Sequence, residues 1–429
     1  MTVPPAGPDP ARVALRQALA RWRILGQGPG EMGPFFGELR RGIGPLRQQV
    51  FGESGPDDPR PRLLVTTAVP HRLSAQEGRY AVVEFPAAEL AALRAGAPGL
   101  LVFDMSTEGP AFAPRFGTAL HGALAQCGLP AERAALLIQN ACFAADYRAW
   151  AAEAGHAPVA VIAANAYAPG MWLRMTQAEP PGDSPYRLGF ALEQDGPRRH
   201  RYVCLNFILR AARAMLVAWL LERPERGFIS FSVPRETPYR EDPEEFPRTL
   251  RRLSMPEHYE AHLARVTRLL EAGTHFASDA DHFARPSQRV YSLPVEEVAQ
   301  AELFIVTETE ISGPNLQRYT EKTFKALVSG LPLIVFGCCH TIAALRALGF
   351  DLHEDLVDQG YDAEEDPQRR FAAALGAVER FLARPPGFTQ AEMARLRGAA
   401  AHNRRVFETT LPRAMVQEPL ARLGALCGR

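Results

Sequence analysis

From Leu63 onward the chain carries short apolar runs, LLVTT, YAVVEF, GLLVFDM, AALLIQN and APVAVIAA. Between them lie stretches with helical spacing such as PAAELAALRA, FGTALHGALAQCG and ADYRAWAAEAG. Runs this short and this uniformly apolar read as strands buried on both faces, and their alternation with helices predicts a parallel sheet covered on both sides. In Gln177 to Arg199 the segments EPPGDSPY and EQDGPRR collect Pro, Gly and charge, as a linker does. The alternation then resumes, with RYVCLNF as a strand, ARAMLVAWLLE as a helix, RGFISFSV as a strand and two helical stretches near Pro243 to Ala272. AELFIVTE, a helix from about Glu321 and PLIVFG follow. The opening residues hold an amphipathic helix around Arg12 to Leu25, then Gly-rich sequence and the breaker-dense GESGPDDPRPR. The C-terminal residues read as helices rich in Arg and Ala.

This pattern predicts an α/β protein of two Rossmann-like, doubly wound halves facing a cleft, with a helical C-terminus. The expected organisation is a leader with one helix over 1–60, an N-terminal domain over 61–195, a C-terminal domain over 196–385 and helices over 386–429. In such sheets ligands bind beyond the carboxyl ends of the strands.

Composition narrows the function classes. A length of 429 residues with 47% hydrophobic content is enough for more than one core. Lys plus Arg equals Asp plus Glu at 48 each, so no positive field favours nucleic acid, and only the Arg-rich stretch around Arg395 to Arg405 speaks for it. No run approaches the roughly 18 to 20 apolar residues of a membrane span, and MTVPPAGPDPAR lacks a signal peptide's apolar stretch. A cytoplasmic protein without an integral membrane segment is expected. The six cysteines form no CxxC pair, and the adjacent Cys338 and Cys339 follow an apolar run, as buried thiols do. No Walker, GxSxG or HExxH motif and no GxGxxG opening a βαβ unit is expected. The run HFASDADHF places His275, Asp279, Asp281 and His282 together, but no parallel-strand signal precedes it and no metal site is expected.

The most informative segment is AELFIVTETEISGPNLQRYTEKTFKALVSGLPLIVFG, from Ala301 to Gly337. Strand LFIVT ends at Glu308, a loop with Ser312, Gly313 and Asn315 follows, and Thr320 is placed as N-cap of a helix opening Glu-Lys. Such a terminus attracts phosphate, Lys322 adds a positive charge, and Glu321 can accept hydrogen bonds from a ribose diol. A capped surface helix accounts for the same residues. Arg210 and Arg213 lie three apart on one helical face beyond a strand end, suited to phosphate or equally to a solvated basic edge.

The run TETEISGPNLQRYTEKTFKALVSGLPLIVFG resembles the nucleotide-sugar motif of α1,3-fucosyltransferases and related GT-B glycosyltransferases. With TEKTFK, LRALGF and Tyr361-Asp362 it resembles uncharacterised phage and bacterial glycosyltransferase-like proteins more closely still. The resemblance covers roughly Arg201 to Arg370. It implies a GT-B-like fold in which Glu321 holds the nucleotide ribose, Lys322 faces the diphosphate and Glu308 binds or orients. Asn206, Arg210 and Arg213 keep the family's spacing, and Ala212 stands where a His is usual. It also implies a nucleotide-diphosphate sugar as donor, no further cofactor and no metal, with a glycan, lipid-linked saccharide or protein hydroxyl as acceptor. The general base would come from the N-terminal half, where Asp104 and Glu108 lie just beyond the strand GLLVFDM, with His71 as a weaker candidate. The rival expectation is a catalytically silent nucleotide- or glycan-binding recognition module.

Overall fold

The computed structural model describes residues 10–26, 32–42, 50–51, 58–67, 85–107, 109–175, 198–206, 209–231, 245–272, 290–291 and 293–427. The chain forms two compact units. The first comprises Met1–Ala178, Asn315–Arg318 and Phe407–Arg429, and the second Glu179–Pro314 and Tyr319–Val406.

In the first unit five strands, β1 (Arg23–Gly26), β2 (Arg62–Thr66), β3 (Gly99–Met105), β4 (Ala134–Ile138) and β5 (Ala160–Ala163), form an all-parallel sheet in the order β1-β2-β3-β4-β5. Side chains alternate between faces with the strand period of two. Leu63, Val65, Leu100, Val102 and Leu137 point into one core, shared with Leu15, Phe35, Phe36, Trp172, Leu420 and Leu423 from helices Pro10–Ala20, Pro34–Gly42, Tyr167–Met175 and Glu418–Cys427. Leu64, Leu101, Phe103, Leu136 and Ile138 point into the other, against helices Ala87–Arg94, Pro114–Cys127 and Phe143–Glu153. Burial on both faces explains why these strands read as continuous apolar runs. Among the described residues the strand order of this sheet never reverses, so it lacks the switch that double winding would create. Of the expected strand YAVVEF, positions 80–84 lie outside the described residues, as do 177–197 of the expected linker.

The second unit holds a four-stranded parallel sheet of β6 (Tyr202–Leu205), β7 (Gly227–Ser230), β8 (Phe304–Thr307) and β9 (Leu333–Phe336), in the order β7-β6-β8-β9. The chain lays β7 on one side of β6, then returns to place β8 on the other. The order therefore reverses between β6 and β8, which pair through Val203↔Phe304 and Cys204↔Ile305. Helix Ala211–Leu221 follows β6 and is buried from Ala211 through Leu220, which fits a sequence apolar all round rather than on one stripe. Helix Glu321–Ser329 follows β8 and ends on Gly330, whose φ of 71° is the left-handed conformation that favours glycine. Helix Pro367–Leu382 packs Phe371 edge-on against Phe336 of β9.

The protein is thus an α/β protein with two parallel sheets and Rossmann-like layering. The long helix Gln390–Glu408 belongs to the second unit through Val406, and from Phe407 the chain belongs to the first. No helix among the described residues is long and apolar enough to cross a membrane.

Candidate functional site

The carboxyl ends of β6 and β8, where the second sheet reverses its order, carry most of the residues singled out from the sequence. Asn206 directly follows β6 and is 2% exposed. Its Oδ1 accepts a 2.5 Å hydrogen bond from the Thr307 hydroxyl at the end of β8, and its amide lies 3.2 Å from the Cys204 sulfur. Burial raises the Cys204 thiol to about 12, and hydrogen bonds to Asn206 and Thr307 and the nearby Arg213 charge pull the other way. Arg210 sits at the N-cap position of helix Ala211–Leu221, half-buried, and Arg213 is buried in its first turn. Ala212, between them in sequence, is also buried.

Glu308 follows β8 and is buried. Its Oε1 accepts from the Thr320 N–H at 2.8 Å and the Thr323 hydroxyl at 2.6 Å. Its Oε2 accepts from the Thr320 hydroxyl at 2.7 Å and the Thr309 N–H at 3.2 Å. The carboxylate thus fastens the start of helix Glu321–Ser329 to the strand, an orienting task. Gly337, just past β9, allows this close fit, because a Cβ there would stand 3.3 Å from Glu308 Cγ. Thr320 is the N-cap, as its sequence position predicts, and its hydroxyl accepts from the Lys322 N–H at 3.5 Å.

Lys322 Nζ reaches back over the helix start to the Thr320 hydroxyl at 2.8 Å and to Glu321 at 2.9 Å. Burial pushes the Glu321 carboxyl up, but the charges of Lys322 and Lys325 and hydrogen bonds from Lys322 and Thr320 outweigh it and leave it lowered. Glu321 is therefore an ionised acceptor beside a cation. The side chains of both keep some exposure, 13% and 17%, where Glu308 keeps almost none.

Arg370, which no local sequence signal singles out, clamps the loops around this edge. Its guanidinium donates to the carbonyls of Gly337 at 3.0 Å, Glu364 at 2.7 Å, Glu365 at 3.1 Å and Ser312. The Ser312 hydroxyl held in that loop is buried with no hydrogen-bond partner among the described residues. Asp362 of the Tyr361-Asp362 pair accepts from the N–H groups of Ile342 and Ala343 and so caps helix Thr341–Ala347. Cys338 and Cys339 are both buried just beyond β9.

In the first unit Asp104 ends β3, fully buried. Its Oδ1 accepts from the Ser106 N–H and hydroxyl at 3.1 and 2.6 Å, and its Oδ2 accepts from the Phe35 N–H at 2.9 Å. It thereby caps helix Pro34–Gly42 from 69 residues away. Burial raises its carboxyl to about 6, partly offset by the bonds from Ser106, Phe35 and Phe36. That value suits a general base, but both oxygens are committed to protein donors. Glu108 and His71 lie outside the described residues, as do His275, Asp279, Asp281 and His282. Among the described residues no group of three or more His, Cys, Asp or Glu side chains is placed to hold a metal ion. A cavity of about 400 Å³ in the first unit, lined by Trp22, Pro61, Pro98, Arg133 and Cys427, lies at the amino ends of the strands, the edge opposite Asp104.

No family model, no curated protein and no solved structure matches the chain.

Proposed function

We propose that the chain is a glycosyltransferase that moves a sugar from a nucleotide-diphosphate donor to a hydroxyl on a glycan, lipid-linked saccharide or protein. The observation that carries this reading is the coincidence of two features. The order reversal of the second sheet, where α/β proteins bind nucleotides, falls between β6 and β8, and the strand ends there bear Asn206, Arg210, Glu308, Glu321 and Lys322. Glu308 fixes the helix start, so that Glu321 is preorganised to accept the ribose hydroxyls. Lys322 exchanges its contacts with Thr320 and Glu321 for the diphosphate, and Arg210 supplies the second cation. The donor's leaving nucleotide is stabilised by positive charge from this chain, and a carboxylate base removes the acceptor proton as the hydroxyl attacks the anomeric carbon. Glu108 is the residue proposed for that proton.

A second reading, a nucleotide- or glycan-binding module without turnover, draws on one observation: Asp104 spends both oxygens on a helix start and on Ser106. A thermal-shift panel of GDP, UDP, CMP and dTDP tests the donor site, since a ligand at a hundred times its Kd stabilises by about 2.7 kcal/mol. No response to any nucleotide would sink it. Donor hydrolysis by the wild type that disappears in Glu108→Ala separates the two readings.

A further inference from the structure

Residues 315–318 have an unusual allegiance. They lie in the loop from β8 to helix Glu321–Ser329, and the residues on either side, through Pro314 and from Tyr319, belong to the second unit, yet their own contacts assign them to the first. One side chain of the first unit bonds this segment directly. Asn140, two residues past β4 and 1% exposed, donates from Nδ2 to the Asn315 carbonyl and to the Pro110 carbonyl, each at 3.1 Å. Its Oδ1 accepts from the Gln317 N–H and the Cys142 N–H, each at 3.0 Å. The neighbouring Ala141 N–H donates to the Gln317 carbonyl at 3.2 Å, so the segment is held at three backbone atoms. Gly109 permits this packing, because a Cβ there would lie 2.5 Å from the Asn140 nitrogen. Within the held segment Leu316 is 1% exposed and Arg318 7%.

We infer that Asn140 is a positioning residue for the donor-binding helix start: by holding residues 315–318 as a strap, it fixes where Thr320, Glu321 and Lys322 begin their helix. The mechanism is covalent reach. Only Arg318 and Tyr319 separate the last held residue, Gln317, from Thr320, and a residue spans at most about 3.6 Å, so a held Gln317 leaves the N-cap little freedom. Glu308 then receives the Thr320 N–H and both threonine hydroxyls from a chain already in place. Side-chain amide chemistry is what the job needs. An aspartate keeps the acceptor for Gln317 and Cys142 but cannot donate to Asn315 and Pro110, and an alanine does neither. The consequence for ligand binding rests on the nucleotide-donor reading above; the consequence for order at the helix start does not.

Amide hydrogen exchange on the full-length chain tests the inference. In Asn140→Ala, amides of 315–323 should exchange about tenfold faster or more, as local opening there becomes easier, while amides of β4 keep wild-type protection. Asn140→Asp should fall between the two, and brief trypsin treatment followed by mass spectrometry should show faster cleavage after Arg318 in the same order. Unchanged protection of 319–323 in Asn140→Ala, with β4 intact, overturns the inference. So does loss of protection throughout the first unit in both variants, which would make Asn140 a general fold residue. Where GDP or UDP stabilises the wild type, Asn140→Ala should bind it about fivefold more weakly because the helix start is no longer preorganised. If no nucleotide of the panel binds, the donor reading fails and exchange alone decides the strap.

Discussion

Two strand ends, one in each unit, solve the same local problem with different surroundings. Asp104 at the end of β3 and Glu308 at the end of β8 are both buried carboxylates that catch the N–H groups of a helix start. Asp104 works in a sheet whose strand order does not reverse among the described residues, and its partners are two backbone segments and one serine. Glu308 works beside the reversal between β6 and β8, and three threonines, Thr309, Thr320 and Thr323, close around it next to Lys322 and Glu321. A strand-end acid is thus not by itself a sign of catalysis. What sets the second edge apart is the incompletely buried pair it supports, and that pair is where a ligand would find charge.

The contrast is broken most severely at Glu308. Glu308→Ala would leave a buried N–H and two hydroxyls unsatisfied, and we expect the second unit to lose about 4 kcal/mol in urea unfolding, the sum of several bonds to a charged acceptor. Glu308→Gln should retain part of that stability. A loss under about 1 kcal/mol would mean that Thr320 and Thr323 satisfy each other without the carboxylate.

Opposite pH responses should come next. Folded Asp104 holds its proton to about pH 6, whereas an unfolded aspartate releases it near 3.9. The folded state binds more protons in that window, so this group's contribution is present below about pH 4 and is lost, by about 3 kcal/mol, as pH rises through 6. Asp104→Asn should flatten that slope in the first unit. His353, in the second unit, behaves in the reverse sense. Its ring is 1% exposed, neither nitrogen has a hydrogen-bond partner among the described residues, and burial lowers it to about 4, with Asp351 and Asp355 opposing and Arg395 assisting. Its contribution is present above about pH 6.5 and is lost, again by about 3 kcal/mol, as pH falls to 4. His353 has a φ of 55°, a conformation asparagine tolerates, so His353→Asn should remove the acid loss without backbone strain. Unfolding followed by hydrogen exchange near pH 5 should therefore show the first unit strengthened and the second weakened. Parallel shifts of both units would contradict the assignment.

The smallest expected effect separates ligand charge from helix capping. Lys322→Ala and Arg210→Ala should each weaken binding of a nucleoside diphosphate by about 1.5 to 3 kcal/mol in calorimetry, and binding of the nucleoside much less. Equal small changes for both ligands would return Lys322 to a capped-helix role.

Much of the fold was legible because it is written locally. Strands buried on both faces announce themselves as apolar runs, and Thr320 before Glu-Lys is a helix start by its own chemistry. Strand order was not legible: alternation says that a sheet is parallel but not which neighbour each strand takes, so the unreversed first sheet and the reversal at β6 and β8 needed the structure. The roles of Asp104, Asn140 and Arg370 were hidden for one reason. Their partners Phe35, Gln317 and Ser312 are 69, 177 and 58 residues away, and no window of sequence joins them. Asp104 looked like a base because a carboxylate past a strand has the same local pattern whether its partner is a substrate or a helix.

The path of the chain bears on how the protein is made. The ribosome releases the whole of the second unit before Leu420, Leu423 and Cys427 emerge, and these three belong to the core on one face of the first sheet. Until that helix arrives, the strands of the first sheet hold an incompletely covered apolar face, so the unit that begins folding before the second finishes after it.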